Sequence, residues 1–165
     1  MRHAIASKRD AERWPDDSQR PLTAEGVERF RRAARGLATV VPSVEYVLSS
    51  PYPRAWRTAE ILHEETRWPA PEPREELAAG RPPDEGAALI EEIAAESVAL
   101  VGHEPNLSLL ASFLLTGDHD LARLELKKGG VAFLELPDRV DAKRGTAILR
   151  WSVSPRILRA LDGAS

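Results

Sequence analysis

The uninterrupted apolar run at residues 97–101 is the feature that most limits what this chain can fold into. A strand without polar alternation suits the interior of a parallel sheet that is covered on both faces. Residues 44–48 form a second short run, rich in β-branched side chains, and both runs stand between stretches with helical periodicity. This alternation predicts an α/β fold, a three-layer α/β/α sandwich with a mostly parallel central sheet.

Local signals place the helices around these strands. Thr23 suits the N-cap of a first helix that reaches about residue 38, and Pro53 suits the first turn of a second helix that ends near residues 68–69. A third helix is predicted from residue 85 to about 95. A fourth, strongly apolar helix is predicted to end at Thr116, where Gly117 stops it.

The remaining segments predict strands and one more helix. Residues 74–77 are expected to form a short edge strand. Residues 131–136 and 146–153 are expected to pair as a hairpin across a polar turn at 138–145, and a short helix at 155–161 to close the chain.

Length and composition exclude several classes of protein. With 165 residues, one domain spanning 1–165 is expected. The absence of cysteine excludes disulfide scaffolds, thiolate metal sites and cysteine nucleophiles. A net charge of -3 indicates neither a nucleic-acid nor an anionic-membrane partner. The longest apolar run, residues 107–115, is too short to span a bilayer, and the N-terminus lacks a signal pattern, so we expect a cytoplasmic protein.

Charged and imidazole side chains cluster in three loops that follow strands. These loops hold Arg2 and His3, Arg54, and His103. The carboxyl ends of parallel strands open on one edge of a sheet, so two arginines and two histidines are predicted to converge there. Guanidinium groups bind phosphoryl oxygens, one imidazole can attack phosphorus, and the other, protonated, can hydrogen-bond an oxygen. The four histidines do not form a cluster with the spacing of metal ligands, so no metal is expected. No cofactor is expected either.

The position of Arg2 and His3 raises a topological question. Site residues of a parallel sheet should follow a strand, yet only Met1 precedes this pair. The first strand is therefore expected to be truncated or very short.

Four segments, taken in order, resemble the motifs of the histidine phosphatase superfamily, which is phosphoglycerate-mutase-like, and within it the short SixA-type phosphohistidine phosphatases. They are Arg2-His3-Ala4, residues 20–26, residues 50–59 and Gly102-His103-Glu104-Pro105. Ala4 stands where the family most often has glycine. The resemblance covers nearly the whole chain and implies the phosphoglycerate-mutase-like fold.

The resemblance also implies roles for individual residues. His3 corresponds to the nucleophile that becomes phosphorylated, Arg2 and Arg54 to the groups that hold the phosphoryl group, and His103 to the stabiliser of transferring charge. Glu76 is the nearest match to a general acid, with Glu75 and Asp84 as further candidates. Arg20 is expected either to reach the phosphate or to pair with Asp16 or Asp17.

The expected activity is hydrolysis of a phosphoryl group, most simply from phosphohistidine on a protein. An imidazole leaving group bound through a labile P–N bond depends less on proton donation than an alkoxide does. That chemistry suits a short chain without a well-defined acid. A phosphatase acting on a small phosphorylated metabolite and a non-catalytic phosphate- or phosphoprotein-binding module are the alternatives.

Overall fold

The computed structural model describes residues 1–93, 95–136 and 145–163, in which five α-helices and five strands are present. The helices are α1 (Ala24–Val40), α2 (Pro53–Glu65), α3 (Pro83–Glu92), α4 (Asn106–Thr116) and α5 (Pro155–Leu161). The strands are β1 (Tyr46–Ser49), β2 (Glu72–Pro73), β3 (Val98–Val101), β4 (Val131–Glu135) and β5 (Ile148–Val153). None of the helices in these ranges is long and apolar enough to cross a membrane.

A parallel sheet in the order β2-β1-β3 forms the middle layer. Successive side chains of β1 point to opposite faces. Val47 packs in a core cluster with residues of α1, α2 and α5, whereas Leu48 packs with Leu77 and with Leu89 of α3. Both faces of the sheet are therefore covered by helices, which confirms the predicted three-layer α/β/α sandwich.

The N-terminal segment occupies the position expected of a first strand. The Met1 nitrogen donates to the Leu100 carbonyl at 2.7 Å, and the His3 amide donates to the Gly102 carbonyl at 3.0 Å. Arg2 forms one parallel bridge with Gly102, and its amide donates to the Gly130 carbonyl on the other side at 3.1 Å. A very short extended segment thus lies between β3 and the turn that leads into β4, and it suffices to place His3.

Helix α1 comes unusually close to the chain that follows His3. Thr23 caps the helix as predicted, since its hydroxyl accepts from the Gly26 amide at 2.9 Å. A Cβ atom on Gly26 would lie 2.2 Å from the Ile5 carbonyl oxygen. Glycine at this position is what permits the close approach.

The predicted edge strand was wrong in position. The strand is Glu72–Pro73, and the chain from Glu75 to Leu77 forms a short 3₁₀ helix instead. Leu77 is buried in the cluster below α3, so the chain turns inward where an edge strand would have continued along the sheet.

The other boundaries agree within a few residues. Helix α2 ends at Glu65, three to four residues before the predicted limit, and α3 ends at Glu92, about three residues before it. The antiparallel pairing of β4 with β5 and the final helix are confirmed. Of the predicted polar turn at 138–145, all but Gly145 lie outside the described residues.

Candidate active site

The backbone on either side of His3 is fixed by two neighbouring segments. Its amide donates to Gly102 at the end of β3, and its carbonyl accepts from the Gly129 amide at 2.9 Å. The amide of the next residue, Ala4, donates to the Thr58 hydroxyl on α2 at 3.0 Å. The imidazole is consequently held at the carboxyl edge of the sheet, with only 5% of the residue exposed.

The His3 imidazole is restricted to one neutral tautomer. Its Nδ1 lies 2.7 Å from the Ala4 carbonyl oxygen. A carbonyl oxygen can only accept, so Nδ1 carries the hydrogen and Nε2 presents its lone pair. This is the tautomer that a nucleophilic Nε2 requires.

The surroundings also keep His3 unprotonated. Burial, together with the positive charges of Arg54 and Arg2, lowers the pKa of His3 to about 3, against the opposing effect of the Ala4 hydrogen bond. Charging the ring would place a cation beside two guanidinium groups in a poorly solvated site. The His3 imidazole is therefore neutral throughout the physiological pH range.

His103 follows β3 and faces His3 across the site. The two ring centroids are 5.2 Å apart, and the His103 Nε2 lies 2.8 Å from the Ser50 hydroxyl at the end of β1. Burial lowers the pKa of His103 to about 3, with His3 and Arg54 adding to the effect. The sequence predicted a protonated His103, but without an anion this ring is neutral. A phosphoryl dianion would offset the nearby positive charge and raise the His103 pKa.

Arg2 and Arg54 carry the positive charge of the site. Arg2 donates through NH1 to the Leu126 carbonyl at 2.8 Å. Arg54, at the start of α2, is 3% exposed and donates through NH1 to the Asp17 carbonyl at 2.7 Å. Burial lowers the pKa of Arg54, and Arg20 lowers it further. Confining charged guanidinium groups in this way is costly unless an anion compensates them.

Three buried nitrogen atoms of the site have no hydrogen-bond partner among the described residues. They are the Nε atoms of Arg2 and Arg54 and the Nδ1 atom of His103. Buried polar atoms are nearly always paired in folded proteins. Unpaired nitrogens of this kind, two of them on arginines whose charges act on both His3 and His103, suit the binding of an anion's oxygens.

Arg20 takes the second of its two predicted roles. Its guanidinium donates to both carboxylate oxygens of Asp17, at 2.9 and 3.3 Å, and to the Ser7 carbonyl at 2.6 Å. The same carboxylate lies 3.3 Å from Arg54 NH2. Arg20 thus contacts the site through Asp17, which holds Arg54 from the side of the loop preceding α1.

The three candidate acids differ in their position relative to the site. Glu76 lines a small cavity together with His103, so the structure brings it to the edge of the site. Glu75 is exposed. Asp84 lies 3.0 Å from the His119 imidazole, on the exposed surface.

Sequence reasoning missed Ser50 and Thr58, and it named Asp17 only as a possible partner of Arg20. Ser50 contacts His103, Asp17 contacts Arg54, and Thr58 bridges two motifs by accepting from Ala4 and donating to the Arg54 carbonyl at 2.7 Å. Ser50 and Thr58 lie inside a motif that the sequence had singled out for Arg54 alone. The only indication in the sequence of a role for Ser50 and Thr58 was that both carry a hydroxyl group and follow a predicted strand.

Comparison with protein families and sequences gives two matches. The model of the histidine phosphatase superfamily (branch 1) matches residues 1–79. An uncharacterized protein of Picosynechococcus sp. (strain PCC 7002) is 36% identical over 137 residues, which is 79% of each chain.

Solved structures with similar folds cover nearly the whole chain. The protein histidine phosphatase SixA, in complex with tungstate, matches with a TM-score of 0.81 at 26% identity over 96% of both chains. A protein assigned as phosphohistidine phosphatase SixA from Nakamurella multipartitia matches with a TM-score of 0.76 at 25% identity, covering 94% of this chain and 93% of that one. An Escherichia coli protein assigned as an alpha-ribazole-5'-P phosphatase, at 18% identity and a TM-score of 0.68, shares the fold.

Proposed function

Because this chain belongs to the histidine phosphatase superfamily, whose SixA members it resembles in structure, we propose that it hydrolyses phosphohistidine on a protein through a covalent intermediate on His3. The observation that carries the proposal is the hydrogen bond from His3 Nδ1 to the Ala4 carbonyl at 2.7 Å. It directs the lone pair of Nε2 into a site bounded by two arginines and a second histidine.

In the first step, the Nε2 lone pair of His3 attacks phosphorus in line with the bond to the substrate nitrogen. The new N–P bond forms as the substrate P–N bond breaks, and the departing imidazole nitrogen takes up a proton. Arg2, Arg54 and His103 bind the three equatorial oxygens, whose charge they stabilise more strongly in the transition state than in the substrate.

In the second step, a water oxygen attacks the phosphorus bound to His3. The bond between phosphorus and His3 Nε2 breaks, inorganic phosphate leaves, and the neutral imidazole is restored. Glu76, which lines the cavity beside His103, is the proposed proton donor to the leaving group and acceptor from the attacking water.

The choice of phosphohistidine as substrate rests on two supports. An imidazole leaving group makes little demand on Glu76, a half-buried side chain at the margin of the site rather than its centre. One similar structure is described as the protein histidine phosphatase SixA and another as a phosphohistidine phosphatase SixA.

The intermediate can be tested by trapping it. The protein is mixed with a phosphohistidine peptide, quenched within milliseconds at alkaline pH, and digested for mass spectrometry. We expect a phosphoryl group on His3. His3→Ala should abolish both the label and turnover of p-nitrophenyl phosphate, whereas the matched surface change His119→Gln should leave both intact.

Other outcomes would favour the alternatives. Turnover of small phosphomonoesters at higher kcat/KM than phosphohistidine would favour a metabolite phosphatase. Binding of tungstate without any turnover would favour a phosphate-binding module and contradict the proposed activity. Full activity of His3→Ala would contradict the assignment of the nucleophile.

A further inference from the structure

A basic groove lies beside the active site, and the proposed chemistry at His3 does not use it. The groove has a volume of about 260 Å³ and runs between α1, the turn before β4 and the start of α5. Its lining includes Arg29, Lys127, Lys128, Arg156 and Arg159 and no carboxylate. We propose that this groove binds an acidic segment of the phosphorylated protein substrate, next to the phosphorylated residue; the inference rests on the proposed function.

The groove adjoins the chain that directly follows His3. Ala4 and Ile5, which directly follow His3, form part of its wall. Lys128 is near enough to His3 to lower the pKa of the imidazole, and Gly129, the next residue, donates to the His3 carbonyl. A polypeptide whose phosphohistidine reaches His3 would therefore pass directly over these lysines.

The positive charge of the groove is largely uncompensated. Arg29 pairs with Glu25 at 2.8 Å and Lys127 with Glu125 at 2.5 Å, both on the exposed surface. Lys128, Arg156 and Arg159 make no ion pair with any residue that the structure describes. Burial and the charges of Arg29, Arg32 and Arg156 lower the pKa of Arg159, as expected of cations that repel one another.

This concentration of cations contrasts with the rest of the chain. The whole protein carries a net charge of -3, with 26 acidic residues against 23 basic ones. On the outer side of α1, Arg32 and Arg35 are both paired with Asp162. The basic groove is thus a local concentration of cations on a chain whose net charge is negative.

The shape of the charge distribution favours several carboxylates over one compact anion. A second phosphate would call for cations converging on one point, with buried donors like those around His3. The groove cations instead lie on α1, on a turn and on α5, and Lys127, Lys128 and Arg156 are exposed. An extended acidic segment can meet such separated charges one by one, which favours fast and salt-dependent association.

The test compares two phosphohistidine peptides that differ only in their flanks, Asp and Glu in one, Asn and Gln in the other. At low salt, we expect the wild-type kcat/KM to be at least about tenfold higher for the acidic peptide than for the neutral one. In roughly 0.5 M NaCl this ratio should be smaller, because salt screens the attraction. In Arg156→Glu/Arg159→Glu the acidic preference should be lost. Arg156→Gln/Arg159→Gln should give an intermediate preference for the acidic peptide. This variant replaces the charge-reversed one if the latter fails to fold.

The matched control is Arg67→Glu/Arg123→Glu, which changes net charge equally at two exposed arginines outside the groove. It should keep the acidic preference. Equal loss in the control, no preference in the wild type, or a stronger preference for a bisphosphorylated small molecule would overturn the proposal. Fluorescence anisotropy with the unphosphorylated acidic peptide measures binding to the groove independently of turnover. A protein that binds this peptide but hydrolyses nothing would refute the proposed activity and leave the groove assignment standing.

Discussion

At the scale of single residues, the site depends on which atom of each imidazole is engaged. The Ala4 carbonyl fixes the hydrogen of His3 on Nδ1, and the Ser50 hydroxyl at 2.8 Å engages Nε2 of His103, which leaves His103 Nδ1 without a partner. One ring thereby presents an acceptor and the other can present a donor. A sequence shows that two histidines are present but not which nitrogen each of them offers.

Ser50 is expected to act as a positioning residue for His103. Ser50→Ala should lower kcat about tenfold, because the ring loses the contact that orients it, with little change in KM. Ser49→Ala is a close control: it removes a hydroxyl that is equally buried but donates to the Ser50 carbonyl rather than to a histidine. Steady-state kinetics with p-nitrophenyl phosphate measures both. Equal kinetic losses in the two variants, accompanied by equal losses of stability, would mean that Ser50 is only structural.

At the scale of secondary-structure elements, the sequence predicted the helices and main strands because each signal is local. Thr23, Pro53 and Gly117 mark helix ends through their own backbone and side-chain chemistry. The edge strand was misplaced because burial of Leu77 under α3 decides where the chain turns, and that contact is not local. Arg20 was ambiguous for the same reason, since its carboxylate partner could be chosen only once the loop was placed.

Gly26 tests how closely α1 must approach the segment after His3. In Gly26→Ala, the new Cβ would lie 2.2 Å from the Ile5 carbonyl oxygen, and backbone must shift to relieve the clash. We expect a loss of about 2 kcal/mol or more in the free energy of unfolding, despite alanine's better helix propensity. Glu28→Ala, on the exposed face of the same helix, should change stability by less than about 0.5 kcal/mol. Urea unfolding measures both, and an unchanged midpoint for Gly26→Ala would show that the helix can move aside.

At the scale of the whole molecule, the buried histidines couple the site to stability. In the folded chain the pKa of His3 and of His103 is about 3, below the ordinary value of 6.5. Between these values the unfolded chain binds protons that the folded chain does not, so the contribution of the two histidines to stability is full above pH 6.5 and falls toward pH 3. The buried Met1 amine, with its pKa lowered to about 5, acts in the same direction between pH 8 and 5, and Glu104, whose pKa is raised by burial, acts against it.

We therefore expect the free energy of unfolding to fall as the pH decreases from roughly 6.5 to 4.5. Each of the two histidines contributes up to about 1.4 kcal/mol per pH unit to this fall. Denaturant titrations across this interval, in a buffer without phosphate, measure the slope. His3→Asn/His103→Asn should flatten it, whereas His119→Gln should retain it. The same slope in the double variant would show that other groups control the acid sensitivity.

We also propose that residues 1–165 unfold as a single cooperative unit, in keeping with one domain.

Two of the hydrogen bonds that hold residues 1–3 also have a temporal consequence during synthesis. Met1 and Arg2 bond to Leu100 and Leu126, residues 99 and 124 positions away along the chain. His3 is synthesised well before Gly129 and Gly130, so we expect its orientation to wait until that turn has left the ribosome. We therefore expect a nascent chain that carries His3, Arg54 and His103 but lacks this turn to be inactive, because the motifs alone do not fix the orientation of His3.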